Sequence, residues 1–277
     1  MGTLYLVATP IGNLEDLSAR ARRILAEVGL IAAEDTRVTR KLLSHYDLHA
    51  RLISYFEHNK LARLDTILAA LETGDVALVS DAGTPGLNDP GYELVRAALQ
   101  AGHRVSPVPG PASPLAALVA SGLPTDAFLF LGYLPRKPAE RAAQLAGVAG
   151  LPYTLIFLEA PHRLGAALKD LRQALGDRRV AVARELTKVH EEIWRGSLDG
   201  ALRYFQEPRG EFVLVVEGHR GASDDRWTEQ QLSEAIRDGR ESGETPTALA
   251  VRLAGRSGWP RRQIYDLILK QDLKRLQ

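Results

Sequence analysis

The chain has no cysteine in its 277 residues. Disulfides, thiolate nucleophiles and cysteine-ligated zinc are therefore excluded. Aromatic residues are few, at 6%, and there is a single methionine. No apolar run approaches the ~20 residues of a membrane-spanning helix, so no membrane partner is expected. The net charge is only +1, so any contact with nucleic acid must come from local patches. The sequence carries neither G-x-x-x-x-G-K-[ST] nor G-x-G-x-x-G, the local signatures of nucleotide-phosphate and dinucleotide sites. It also lacks the G-x-S-x-G nucleophile elbow. Lone histidines such as His162 and His190 read more readily as structural than as ligands, and no metal is expected.

What is present points to an α/β protein. At 45% hydrophobic and 25% charged residues, the chain suits a globular fold of roughly two domains. The N-terminus has no basic stretch before its apolar run. It reads as a first strand, not a secretion signal, and a cytoplasmic protein is expected. Arginine outnumbers lysine 28 to 7. That bias suits phosphate and carboxylate recognition, and it reads equally as genomic base composition.

The most informative stretch is Ser80-Asp81-Ala82-Gly83-Thr84-Pro85-Gly86-Leu87-Asn88-Asp89-Pro90-Gly91. It follows the apolar run 76–79 and precedes a helical pattern carrying Leu94, Val95, Ala98 and Leu99. A buried strand therefore empties into a Gly/Pro-rich loop, with Asp89 expected as N-cap and Pro90 at the first helical position. In open α/β sheets, ligands bind beyond the carboxyl ends of the strands. Further strands are expected at 4–8, 30–33, 52–55 and 105–108. Amphipathic helices carry Leu17, Ala21, Ile24, Leu25 and Val28, and then Leu61, Leu64, Ile67, Leu68 and Leu71. A further Ala/Leu-rich helix runs to Ser121. This alternation predicts a mostly parallel, doubly wound sheet in residues 1–122.

The second half reads differently. Strands are expected at 128–131, 154–158, 180–183, 191–196 and 212–217, with helices at 139–149, 162–175 and 198–205. The strands at 180–183 and 191–196 lie close enough to be antiparallel neighbours. A second α/β domain with a mixed sheet is therefore predicted over 123–220. From 221 to 225 the chain turns polar, marking a linker. Residues 224–277 are helical in pattern. The two helices around Ser257-Gly258-Trp259-Pro260 resemble a helix-turn-helix, but such pairs are common packing units, and DNA is not expected as a partner.

Loops at strand ends carry function more often than strand interiors do. They hold Asp35 and Arg37, Glu57 and His58, Asp81, Ser113, Glu159 and His162, and Arg184, Glu185 and Lys188. Taken alone, these residues point to an α/β enzyme with a ligand at the strand ends.

Five segments together carry a resemblance. They are Ala8-Thr9-Pro10-Ile11-Gly12-Asn13-Leu14, Ala33-Glu34-Asp35-Thr36-Arg37, the Asp81 loop, Pro109-Gly110-Pro111-Ala112-Ser113, and Phe157-Leu158-Glu159-Ala160-Pro161-His162-Arg163. In order and spacing they resemble the tetrapyrrole (corrin/porphyrin) methylase fold family, the class III S-adenosylmethionine methyltransferases, over about residues 2–270. Arg184-Glu185-Leu186-Thr187-Lys188 and 210–218 support the match. Tetrapyrrole-acting relatives usually show Gly-Asp-Pro after the fourth strand. Here Ser80-Asp81-Ala82-Gly83 stands there, and Glu34-Asp35-Thr36-Arg37 follows the second strand. Both departures point to the branch that acts on RNA.

The resemblance implies 2′-O-ribose methylation of a cytidine in the decoding region of 16S rRNA, with the small ribosomal subunit as partner and a homodimer as the assembly. It implies S-adenosyl-L-methionine in a cleft between the two domains. Pro10, Asp81, Gly83, Thr84, Ala112 and Ser113 would line one side, and Leu158 and Val216 the other. A ribose hydroxyl needs help to lose its proton. Asp35, Glu159, Glu185 and Lys188 are the candidates and stay unranked. RNA contacts are expected from Arg37, Arg40 and Lys41, from Arg136, Lys137 and Arg141, from Arg184, and from a basic tail with Arg256, Arg261, Arg262, Lys270, Lys274 and Arg275. A small-molecule methyltransferase on the same fold and a non-catalytic ribosome-assembly module remain the alternatives.

Overall fold

The computed structural model describes residues 2–219 and 227–275, with side chains through residue 272. By packing, the chain forms two compact units, 1–149 with 153–217, and 150–152 with 218–277. The linker expected at 221–225 lies outside the described residues.

The larger unit contains two five-stranded sheets. The first is made of β1 (Thr3–Val7), β2 (Leu30–Ala33), β3 (Leu52–Ser54), β4 (Val76–Val79) and β5 (Arg104–Val108). Its order is β3-β2-β4-β1-β5, and every pairing is parallel. β2 and β4 are buried along their whole length, so they read as unbroken apolar runs instead of alternating ones. Helices α1 (Ala19–Glu27) and α2 (Thr36–His45) cover one face, where Ile24, Leu25, Leu42 and Leu43 meet Ile31, Ala33 and Val79. Helices α3 (Lys60–Thr73) and α4 (Tyr92–Gln100) cover the other, where Ile67, Leu71 and Leu94 meet Leu4, Ala32 and Leu78. The sheet is doubly wound, as the alternation predicts.

Three local expectations change. Helix α2 is missing from the predicted elements. Its inner face is Thr39, Leu42 and Leu43, too sparse a stripe to register among basic residues. Helix α4 starts at Tyr92 with Gly91 as N-cap, not at Pro90. The Asp89 carboxylate does not cap it, and no side chain does. Leu61 faces solvent, 68% exposed, so the buried stripe of α3 begins at Leu64.

The second sheet is made of β6 (Phe128–Tyr133), β7 (Thr154–Glu159), β8 (Arg179–Arg184), β9 (Glu192–Ser197) and β10 (Phe212–Val216), in the order β6-β7-β10-β8-β9. β6 and β7 are parallel, while the other pairs are antiparallel, including the expected β8–β9 pair. Helix α5 (Ser113–Ser121), which lies before residue 122, packs on this second sheet. Its Ala117 and Leu118 meet Ile156, Ala181 and Val213. Helices α6 (Pro138–Val148), α7 (Pro161–Leu175) and α8 (Leu198–Tyr204) complete the unit.

The smaller unit holds α9 (Glu229–Glu241), α10 (Pro246–Ser257) and α11 (Arg261–Arg275). Leu232, Ile236, Leu249, Leu253, Ile264 and Ile268 form its core. Thr228 and Gln231 cap α9 reciprocally, and Thr245 caps α10 with Pro246 at its first position, the pattern that starts helices firmly. Among the described residues no helix is long and apolar enough to cross a membrane.

Candidate active site

The loops leaving β1, β2, β4 and β5 are tied into one platform. Thr9 and Gly83 exchange backbone hydrogen bonds at 2.9 and 3.0 Å. The Thr9 hydroxyl donates to the Ser80 carbonyl at 3.1 Å, and the Thr84 hydroxyl to the Pro111 carbonyl at 3.1 Å. The Asp35 N–H donates to Asp81 Oδ1 at 2.9 Å, and the Asp81 N–H donates to Glu34 Oε2 at 3.2 Å. Buried backbone groups in irregular loops need such partners, and here the partners join neighbouring strands.

A cleft of about 240 Å³ lies between this platform and the end of the second sheet. Asp81, Gly83, Thr84, Ala112 and Ser113 line it from the first sheet, and Leu158 and Glu159 from the second. Sequence reasoning named all of these. It also named Pro10, but Pro10 faces a smaller neighbouring cavity with Val38 and Leu42, and Ile11 takes its place in the main cleft. Val216 does not reach the cleft. β10 runs antiparallel to β7, pairing Val213 with Leu158 and Val216 with Leu155. The start of β10, Phe212 and Val213, therefore forms the wall, and Val216 sits at the far end of the strand.

The cleft is acidic. Glu34, Asp81, Asp89, Glu159 and Glu211 line it, and among the described residues no lysine, arginine or histidine does. Ile11, Leu158, Leu186 and Val213 supply apolar surface. Burial, aided by the charge of Glu34, pushes Asp89 up to about 6. Burial also raises Glu34 and Asp81, against the hydrogen bonds these two accept. Glu34, Asp89 and Glu211 were not anticipated. The available signal was acidic residues at several adjacent strand ends.

The four candidate proton acceptors divide sharply. Asp35 does not line the cleft. It is the N-cap of α2, accepting from the Arg37 N–H at 2.8 Å, and it pairs with the Arg37 guanidinium at 2.6 Å. These hydrogen bonds hold its carboxyl down at about 2. Glu185 accepts from Lys188 at 3.0 Å and from the Glu211 N–H at 3.0 Å. Burial pushes Glu185 up, but those bonds outweigh it and leave the carboxyl below its ordinary value. Lys188 is raised above its ordinary value, since its bonds to Glu211 and Glu185 outweigh burial. Glu159 is 2% exposed. Its Oε1 accepts from the Ala160 N–H at 2.9 Å and lies 3.4 Å from Arg163 Nε, while Oε2 is buried without a partner. Burial raises its carboxyl against the Ala160 bond and the Arg163 charge.

The Glu185 turn is strained. Glu185 and Thr187 both hold positive φ, at 50° and 66°, unfavourable above all for β-branched threonine. Gly210, at φ +90°, leaves room for Glu185, because a Cβ there would sit 2.5 Å from Glu185 Cγ. Strain of this kind gathers at functional sites.

The basic candidates lie apart from one another. Arg37, Arg40 and Lys41 are exposed on α2, and Arg136 and Lys137 are exposed on the β6–α6 loop. Lys137 pairs with Glu140, and Arg184 with Glu192. Arg141 is committed to Asp170 and to the Pro135 and Arg136 carbonyls. Arg256 sits over the Trp227 ring at 6.0 Å. Arg261, Arg262 and Lys270 are exposed in the helical unit, and the side chains of Lys274 and Arg275 lie outside the described ones. His45 and His49 have the i, i+4 spacing of helical ligands, but α2 ends at His45. Among the described residues no group of three or more His, Asp or Glu is placed to hold a metal ion.

The model of the Tetrapyrrole (Corrin/Porphyrin) Methylases matches residues 3–201. The ribosomal RNA small subunit methyltransferase I of Synechocystis is 48% identical over 274 residues, covering 98% of each chain. That of Halalkalibacterium halodurans is 46% identical over 276 residues, covering 96% of this chain and 94% of its own. Among solved structures, uroporphyrin-III-C-methyltransferase from Thermus thermophilus superposes with a TM-score of 0.55 at 25% identity, covering 78% of this chain and 94% of its own.

Proposed function

Because the chain belongs to the tetrapyrrole (corrin/porphyrin) methylase family, in the branch of the small-subunit ribosomal RNA methyltransferases I, we propose that it methylates 16S rRNA with S-adenosyl-L-methionine in the acidic cleft. The finer assignment is the 2′-hydroxyl of a cytidine in the decoding region. On the same reading the protein works in the cytoplasm, as a homodimer, on the small ribosomal subunit.

The observation that carries the proposal is the cleft itself, acidic and without basic lining among the described residues, at the carboxyl ends of β4 and β5. When bound, the cofactor supplies a methyl group made electrophilic by a sulfonium. Its sulfonium and ammonium are cations, and its adenine is apolar. The donor set suits both, with Asp81, Asp89 and Glu34 around the polar part and Leu158, Leu186 and Val213 for the base. Gly83, with no side chain, and Ala112 and Ser113, with small ones, line the wall and leave room there for their backbone. Much of the rate would come from holding the hydroxyl in line with the methyl group, which is worth up to ~7–11 kcal/mol.

The test is a nucleoside mass map of small-subunit rRNA from cells with and without the gene. One nucleoside should gain a methyl group in the presence of the protein, and the adjacent linkage should resist alkali. An unchanged map would remove RNA methylation and leave small-molecule methylation as the family's other chemistry.

A further inference from the structure

Glu159 and Tyr133 line two cavities at once. One is the acidic cleft. The other, about 970 Å³ and more open, is lined by Arg136, Arg141, His162 and Arg163. Two cavities of opposite charge therefore share a wall at the end of β7. The acidic one suits a cation, and the basic one suits a phosphate.

The second cavity is built, not incidental. Arg163 donates to the Leu134 and Pro135 carbonyls at 2.5 and 3.3 Å, and Arg141 to the Pro135 and Arg136 carbonyls at 3.1 Å each. These bonds fasten the loop after β6 to the first turns of α6 and α7. The exposed Arg136 and His162 side chains are left facing the opening. The first turn of the 15-residue α7 adds its partial positive charge there. In the shared wall sits the unpartnered Oε2 of Glu159. A buried carboxylate oxygen without a partner is costly, and a hydroxyl donor is what it lacks.

We propose that the basic cavity is the subsite for the target nucleotide, with Arg136 and His162 receiving its phosphate and Glu159 Oε2 accepting the proton of its ribose hydroxyl. This assignment rests on the RNA-methylation reading above. The hydroxyl oxygen forms its new bond to the methyl carbon as the methyl–sulfur bond breaks, and that bond's electron pair stays on sulfur. The hydroxyl proton passes to Oε2. Charge balances, since a sulfonium and a carboxylate become a thioether and a carboxylic acid.

The other candidates are poorly placed for this step. Asp35 and Glu185 have their carboxylates engaged by cations, and Lys188 has no free lone pair while protonated. Glu159 keeps one oxygen free, and burial makes it a stronger base than an ordinary carboxylate. Arg163, His162, Arg141 and the Ala160 N–H temper that shift. The Tyr133 hydroxyl lies in the field of Glu211, Asp89 and Glu159. Burial and those charges raise its pKa, so it stays protonated as a donor in the same wall.

The experiment is single-turnover methyl transfer to small ribosomal subunits lacking the modification, with the full-length protein saturated in cofactor. Glu159→Gln should bind the cofactor normally by calorimetry and lose ~10²–10⁴-fold in rate. The wild-type rate should fall on the acid side as a carboxylate protonates, and that limb should vanish in Glu159→Gln. A residue that merely positions Arg163 would leave the limb in place. Arg136→Ala with His162→Ala should weaken subunit binding and lower its salt slope by about one, with cofactor affinity unchanged.

A wild type that transfers no methyl group would overturn the functional reading itself. A wild type that does, with Glu159→Gln within threefold of it, would overturn the proton acceptor. An unchanged affinity and salt slope in the double variant would overturn the subsite. Should Glu159→Gln fail to hold cofactor, a wild-type profile with no acid limb would still overturn the assignment.

Discussion

The carboxylate of Asp81, at the end of β4, accepts the backbone N–H of Asp35, at the end of β2, at 2.9 Å. One residue of the central loop thus fixes the course of its neighbour. The return bond, from the Asp81 N–H to Glu34 Oε2, turns Glu34 towards the cleft and not towards Arg37. Asp35 is left to cap α2. Two adjacent acids with the same sequence context therefore do different work, one in a cavity wall and one at a helix end.

Replacing Asp81 by alanine removes that latch and one carboxylate of the cleft. We expect about 1 kcal/mol lost from stability, the worth of one such bond. For a unit of this size that is a fall of roughly 2–4 °C in Tm. Cofactor affinity should fall about tenfold, measured by calorimetry alongside thermal unfolding. An unaltered affinity would take Asp81 out of the binding site.

Asp89 should make stability depend on pH. Its folded pKa is about 6, against about 3.9 in an unfolded chain. The folded state holds this proton more tightly, so its contribution is complete below pH 4 and is lost as pH rises through 6. Asp89→Asn should therefore raise stability at pH 8, by about 1–2 kcal/mol once solvent screening is allowed for, and leave it nearly unchanged at pH 4. Cofactor affinity should drop at pH 8, since a negative charge leaves the cleft. Equal effects on stability at the two pH values would contradict the assignment.

The first sheet was legible because both its faces are covered. β2 and β4 are apolar at every position, and each empties into a Gly- or acid-rich loop. Helix α2 was not legible, since Thr39 fills a third of its inner face. Strand direction was not legible either. β10 reads the same in both directions, and only its pairing with β7 sets Val213, not Val216, in the wall. Glu34, Asp89 and Glu211 come from three separate segments, and their convergence is a property of the fold. The role of Asp35 was masked for a different reason, because an N-cap aspartate at a strand end looks like a catalytic one until its partner Arg37 is seen.

Gly210 should be intolerant of a side chain. Its φ of +90° disfavours any L-residue, and a Cβ would meet the Glu185 carboxyl carbon at 2.6 Å. Glu185 cannot easily retreat, because its own backbone is at positive φ and its carboxylate is bound to Lys188 and the Glu211 N–H. Gly210→Ala should cost about 1–3 kcal/mol, read as a lower thermal midpoint. Partial recovery in Gly210→Ala/Glu185→Ala would trace the cost to this contact, and a neutral single variant would show that the turn relaxes freely.

The helical unit should contribute to substrate binding through charge, not through the cofactor. Arg261 and Arg262 open α11 and are exposed, while its Ile264 and Ile268 fill the unit's core. The two arginines can therefore be reversed without disturbing the packing. A cation at a helix N-terminus is unfavourable to the helix, so Arg261→Glu/Arg262→Glu should leave stability equal or slightly higher. If the arginines meet RNA phosphates, binding to small subunits should weaken, and the slope of log K against log salt should fall by about 1–2. Cofactor affinity should not move. The measurement is a salt series of subunit binding with wild type and variant side by side. Parallel salt dependences would leave these arginines as a solvated surface.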